Sequence, residues 1–301
     1  MIKLRKYLAV LACSFAVAVA CAPSVEQSPV KVSPAAPDDD AVLASRIISL
    51  APSLTELAYQ AGAGDKLIAV VDYSDYPEAA LSLPRIGDSF RIDFERLRQL
   101  DPDLILVWSS GNPAAMQSRL RDLKFNLLVL EPSSIEDVAD HVRLIGERAG
   151  TGVVANAAAD AYLATLEDIW GSYGAEPDTR VFFQISAAPW FTVNGDQVIS
   201  RIINRCGGKN IFADIPAIAA AVSLEAIIAA DPEVIIAPFD DRDQSDWQSM
   251  WHRFDGVAAV REGNLINVNR DAVSRSSLRL AEAAQQICSQ LHAIRMRRAG
   301  F

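Results

Sequence analysis

One short pattern occurs twice, 130 residues apart, and it constrains the fold more than any other feature of this chain. In the first copy Asp93-Phe94-Glu95-Arg96-Leu97 leads to Asp101-Pro102-Asp103-Leu104-Ile105. In the second, Ser223-Leu224-Glu225-Ala226-Ile227 leads to Asp231-Pro232-Glu233-Val234-Ile235. Each copy reads as a helix N-cap, a first-turn glutamate, an Asp-Pro stop and an apolar strand. Either copy alone is ordinary. Two copies in step predict two lobes of like construction.

The flanking sequence agrees. Residues 46–50, 67–71, 104–107 and 126–130 read as strands, with helices starting at Ser53 and spanning 94–100 and 113–123. Ser53 and Glu56 have the spacing of a capping box. Alternating strands and helices predict an α/β lobe on a mainly parallel sheet. Residues 134–174 are Ala-rich and helical, broken once near Gly150-Thr151-Gly152, and a second α/β set starts with the strand 180–184. The fold class expected is therefore α/β: an N-terminal lobe at 45–150, a connecting helix at 151–176 and a C-terminal lobe at 177–301. The last of these closes in a basic tail, 295–301.

The first 20 residues are an address. Lys3, Arg5 and Lys6 precede an apolar run that ends Ala18-Val19-Ala20-Cys21. This predicts a signal peptide over 1–20, with Cys21 as the lipidated first residue of an exported lipoprotein. Residues 21–44, rich in Pro, Ser and Asp, read as a tether between lipid and folded body. Removing the three leader cations takes the formal charge from −10 to −13. An acidic chain of this kind excludes nucleic acid as a partner. Export also bears on the cysteines: Cys206 and Cys288 remain as a pair in an oxidising compartment, where a disulfide is the default.

No catalytic constellation is visible. The chain lacks a phosphate-cradling Gly-rich loop after a strand, a Gly-x-Ser-x-Gly elbow and His pairs at metal-binding spacing. His141 and His292 are expected to be solvated. What the chain does have is aromatic residues just beyond strand ends: Tyr73 and Tyr76, Trp108, then Trp190 and Phe191. Ligands of open α/β sheets bind at the carboxyl ends of the strands, so these rings point to a cleft for a large, flat, partly apolar ligand.

The strings VDYSDYPEAA, FERLRQLDPDLILVWSSGNP, FFQISAAPWFTVNG, CGGKNIF and AAQQICSQL resemble the periplasmic binding proteins for siderophores, haem and cobalamin, the cobalamin branch most of all. The resemblance spans about residues 46–291. It implies two α/β lobes joined by one long rigid helix, no enzymatic activity, no resident cofactor or metal, and a monomer that delivers a corrinoid to an ABC permease dimer with its ATPase. Residue by residue it implies ligand contacts for Tyr73, Trp108, Phe191, Asp271 and Arg275; Phe90, as a replacement for a cleft tryptophan of the relatives, and Trp190, by its place beyond a strand end, join them as ligand-binding candidates. Glu95 and Glu225 match permease-docking glutamates, and Cys206 and Cys288 match a disulfide. Where relatives carry further cleft tryptophans this chain has Ser89-Phe90, Ala219-Ala220 and Ala272, which implies a wider, less aromatic cleft. Haem or a ferric siderophore is the alternative ligand, with Arg85, Arg91, Arg242 and Arg275 as candidate cationic groups. An exported α/β hydrolase is the alternative from another class.

Overall fold

The computed structural model describes residues 43–239 and 244–300. The leader, Cys21, most of the tether and Arg242 lie outside them. In the first lobe β1 (Ile47–Ser49), α1 (Pro52–Gln60), β2 (Leu67–Val70), α2 (Phe94–Leu100), β3 (Leu104–Trp108), α3 (Ala114–Asp122) and β4 (Leu127–Leu130) follow in turn. The strands form a parallel sheet in the order β2-β1-β3-β4. α4 (Asp137–Ala149) and α5 (Gly152–Tyr173) follow, divided at Gly150, whose φ of 70° ends the first helix.

The second lobe contains β5 (Ala175–Phe183), β6 (Ser186–Ala187), β7 (Trp190–Val193), α6 (Val198–Arg205), β8 (Cys206–Asn210), β9 (Ala219–Ala221) and α7 (Leu224–Ala230). After these come β10 (Val234–Ala237), α8 (Gln244–Trp251), α9 (Ala258–Arg261), β11 (Leu265–Asn267), α10 (Arg270–Ser274) and α11 (Leu280–Arg298). Its main sheet is parallel in the order β11-β10-β5-β8, and β6-β7-β9 form a small antiparallel sheet.

Both main sheets are covered on both faces, which explains why strands such as LILVW and VIIA are continuously apolar. Successive residues enter different cores. Ile47, Leu104 and Leu106 face one way in the first lobe, and Ile48, Ile105 and Val107 the other. In the second lobe Val181, Phe183, Val234 and Ile236 oppose Phe182, Ile235 and Ala237. The first set in each lobe joins one continuous core that includes Ala155, Ala159, Tyr162, Leu166 and Ile169 of α5. The 22-residue α5, about 33 Å long, is thus a strut packed into both lobes. Gly146 lets α4 approach it, since a Cβ there would overlap that of Ala155.

The repeat read from sequence is structural. Asp93 accepts hydrogen bonds from the Glu95 and Arg96 amides, and Ser223 from the Ala226 amide. Asp101 and Asp231 end their helices in the left-handed region, at φ 44° and 42°. At the strand that follows, Arg46 donates to the Asp101 carbonyl and its amide to the Asp103 carboxylate. Arg180 does the same with the Asp231 carbonyl and Glu233.

Four expectations are corrected. α1 is capped by Ala51 without a side-chain bond, with Pro52 opening the helix, so Ser53 and Glu56 form no capping box. Ala44 belongs to the folded body rather than the tether: it is buried and its amide donates to the Arg148 carbonyl. Residues 295–298 are helix, not tail. Arg295 donates to the carbonyls of Cys206 and Tyr173, and Arg298 to Glu233 and Glu262. Cations suit a helix C-terminus, and here they also fasten it to the second lobe. His141 is buried, not solvated, and that burial lowers its pKa against the opposing pull of Asp137, Asp140 and Glu131.

Candidate ligand cleft

The first-lobe candidates lie on the segment between β2 and α2 and at the carboxyl end of β3. Tyr73 follows β2 at φ 63°, a strained conformation for a bulky residue, and its side chain is 78% exposed. Its neighbour Ser74 is fully buried and bonds Thr55 of α1 at 3.1 Å, so the loop is anchored beneath the presented ring. Phe90, 69% exposed, tops a turn in which the Asp88 carboxylate accepts from the amides of Phe90 and Arg91. Trp108 ends β3 half-buried, its ring lying over Gly111 so closely that a Cβ at Gly111 would overlap it.

Asn112 holds these loops together. Its amide donates to the carbonyls of Leu50 and Ser89, and its side-chain oxygen accepts from the Trp108 amide. Asn112 was not among the candidates read from sequence. Its burial and its three bonds, two of them reaching 62 and 23 residues back along the chain, come from the tertiary structure alone.

The second-lobe candidates lie on the β6-β7-β9 sheet. Trp190 and Phe191 are adjacent in β7 and so point to opposite faces. The Trp190 ring packs 4.9 Å from that of Trp251, a fully buried residue whose indole donates to Gln184. Phe191 pairs across the sheet with Ser186 and Ala221, small neighbours that leave its half-buried ring as the projecting group of that row. Trp190 therefore packs on the core side of this sheet, and Phe191 stands on the other face.

Asp271 lies in the first turn of α10, about half exposed. Arg275 is not a free cation. Its side chain, 11% exposed, bonds Glu56 at 3.0 Å, Asp75 at 2.6 Å and Asp271 at 3.2 Å. Burial opposes its charge, but the hydrogen bonds it donates to Asp75 and Glu56 outweigh burial and raise its pKa. The Asp75 carboxyl responds in the opposite sense: burial pushes it up, and the Arg275 bond and charge prevail and hold it low. Arg85 is also committed, donating to the carbonyls of Ser74 and Ala80.

Glu56 was missed as an interaction centre. It is fully buried, yet accepts from Arg275, Ser277 and Arg279. The available signal was a carboxylate between Leu54 and Leu57 in an otherwise apolar stretch.

Glu95 and Glu225 are exposed in the first turns of α2 and α7. Residues 91–100 and 221–230 have the same order of exposed and buried positions, so the two glutamates have like surroundings. Cys206 and Cys288 are joined in a disulfide with Cα atoms 4.6 Å apart, linking the start of β8 to the middle of α11. No helix among the described residues is long and apolar enough to cross a membrane.

This arrangement can be set beside known proteins. Residues 47–272 match the family model described as periplasmic binding protein. The vitamin B12-binding protein of Vibrio cholerae is 34% identical over 249 residues, covering 82% of this chain and 89% of that protein. The vitamin B12-binding protein of Yersinia pestis is 36% identical over 255 residues, covering 83% and 88%. The crystal structure of the periplasmic vitamin B12-binding protein BtuF of Vibrio cholerae superposes with a TM-score of 0.79, covering 84% of this chain and 98% of that one. A periplasmic haem-binding protein of Pseudomonas aeruginosa shares the fold at 20% identity and a TM-score of 0.72, covering 83% and 94%. Two parallel-sheet lobes on one helical strut, matched along nearly their whole length by binding proteins rather than enzymes, place this chain in the periplasmic binding protein family.

Proposed function

We propose that this chain is the exported substrate-binding component of an ABC importer, which captures cobalamin or a related corrinoid and delivers it to the membrane permease. The observation that carries this reading is the placement of Tyr73, Phe90 and Trp108 on loops and a strand end of one lobe, with Phe191 on the other, in a chain 34% identical to a vitamin B12-binding protein. A corrin is a broad, flat ring with an amide fringe. Aromatic faces hold such a ring by burial and stacking, and a carboxylate at the rim, here Asp271, can accept from the amides.

Glu95 and Glu225 serve as one acidic contact per lobe for a basic permease face, and contacts of this kind set on-rate and register. Their like surroundings predict equal losses of uptake for Glu95→Ala and Glu225→Ala, with ligand affinity unchanged in both. Cys21 supplies the lipid anchor.

The test is calorimetric titration of residues 43–301 with cyanocobalamin, cobinamide and haem. One-to-one corrinoid binding at about 1 μM or tighter, roughly 8 kcal/mol, is the expected result. Haem binding without corrinoid binding would move the ligand to the alternative class. Absence of heat with all three would sink the aromatic-cleft reading.

A further inference from the structure

Arg275 and Arg279 sit in the link between α10 and α11, and besides Asp271 and Glu282 of those helices they bind groups of the first lobe. At the centre is Glu56, fully buried in α1. A carboxylate taken out of water is costly unless it is paired and its lone pairs are satisfied. Among the described residues, every side-chain partner of Glu56 comes from this link, about 220 residues away: Arg275 at 3.0 Å, Ser277 at 2.6 Å and Arg279 at 3.4 Å. Gln60, one turn further along α1, accepts from the Leu278 amide at 3.1 Å. The link is thus bound to α1, while α11 is tied to β8 by the disulfide.

The same two arginines also hold the loop that presents Tyr73. Arg275 bonds Asp75 at 2.6 Å, and the Arg279 guanidinium lies 4.4 Å from the centre of the Tyr76 ring. Asp75 and Tyr76 are the second and third residues after Tyr73, with buried Ser74 between. A strained residue persists only where its surroundings over-determine it. Here the surroundings include buried Ser74 and Arg85 from within the first lobe and two cations from the other side of the junction.

We infer that Arg275 and Arg279 are positioning residues: a Glu56-centred latch across the lobe junction holds the 73–76 loop and so keeps the Tyr73 ring presented for ligand. Arg275 then influences the ligand through Asp75 rather than by direct contact. The inference rests on the reading of Tyr73 as part of the ligand cleft.

The experiment measures amide hydrogen exchange of residues 72–77 in the ligand-free protein, and then cyanocobalamin affinity, for Asp75→Asn, Asp75→Glu and Arg279→Lys. Asp75→Asn removes the charge at a half-exposed position and leaves the buried Glu56 pairs in place. Arg279→Lys keeps the charge and loses the guanidinium placed over the Tyr76 ring. Asp75→Asn and Arg279→Lys are expected to raise loop exchange about five- to tenfold, with the thermal midpoint little changed. Asp75→Glu should restore most of the protection, which a merely structural role for the position does not predict. Cyanocobalamin affinity should fall in the order of loop exchange. Loop exchange within twofold of wild type in both disruptive variants overturns the latch. Faster exchange with unchanged affinity overturns its role in holding the ligand. If the wild-type protein takes up none of the corrinoids or haem, the proposed function fails, and the exchange measurement still decides the latch.

Discussion

Opening the Cys206–Cys288 disulfide should lower stability by an amount the topology sets, while leaving the cleft assembled. The bond joins residues 82 apart and closes a loop holding β8 to β11 and α7 to α10, most of the second lobe. In the chain-entropy model a loop of this length stabilises the fold by about 4.5 kcal/mol through restriction of the unfolded state. Roughly 250 folded residues at about 2.1 cal/mol/K each give an unfolding entropy near 0.5 kcal/mol/K, so the midpoint should fall by about 9 °C. Both cysteines are fully buried, and Arg295 independently fastens α11 to the Cys206 and Tyr173 carbonyls. The seam between β8 and α11 should therefore stay closed at 25 °C. The assay is thermal unfolding of oxidised protein, reduced protein and the Cys206→Ala/Cys288→Ala variant, each titrated with cyanocobalamin below its midpoint. A shift under 2 °C in both reduced and double-variant protein would refute the loop argument. A normal shift with lost binding would refute the claim that the seam holds without the bond.

Two further outcomes follow from local geometry. Gly111→Ala places a Cβ inside the Trp108 ring, so the ring or its loop must move; stability should fall by about 1–3 kcal/mol and corrinoid affinity by about tenfold, read by denaturant unfolding and titration. Asp137 and Asp103 are both partly buried, which pushes their carboxyls up, but hydrogen bonds from Ser133 and Ser134, and from Ser45 and Arg46, outweigh burial and hold them below the ordinary range. A depressed carboxyl contributes stability that is complete above its unfolded pKa and lost as pH falls through its folded one. The urea midpoint should therefore drop as pH falls from about 5 to about 3. Asp137→Asn should be less stable than wild type at pH 7 by about 1 kcal/mol and should lose less over that acid interval.

Much of the framework that carries the candidate residues was legible in the chain because its signals are local. The Asp93 and Ser223 caps, the Asp-Pro stops and the apolar strands are each decided by a few neighbouring residues, and both copies formed as read. The β6-β7-β9 sheet was not legible. Ala219–Ala221 has little intrinsic preference for a strand and takes that form by pairing with β7, about 30 residues earlier. The placement of Trp190 and Phe191 on opposite faces depends on that pairing.

The sequence by itself determined the alternating elements, the division into two like lobes, the connecting helix and the exposed first-turn glutamates. Each of these follows from periodicity, capping or exposure within one element. Only the tertiary structure decided the fate of the charges. Glu56 looked like a helix-capping residue and is the buried centre of an ion network. Arg275 looked like a free cationic contact and is shared among three carboxylates. Arg295 looked like part of a tail and closes the seam at β8. The reason is range. A backbone propensity acts over a few residues, whereas a buried charge is tolerated only where the fold brings its partner, and the partner of Glu56 lies 219 residues away.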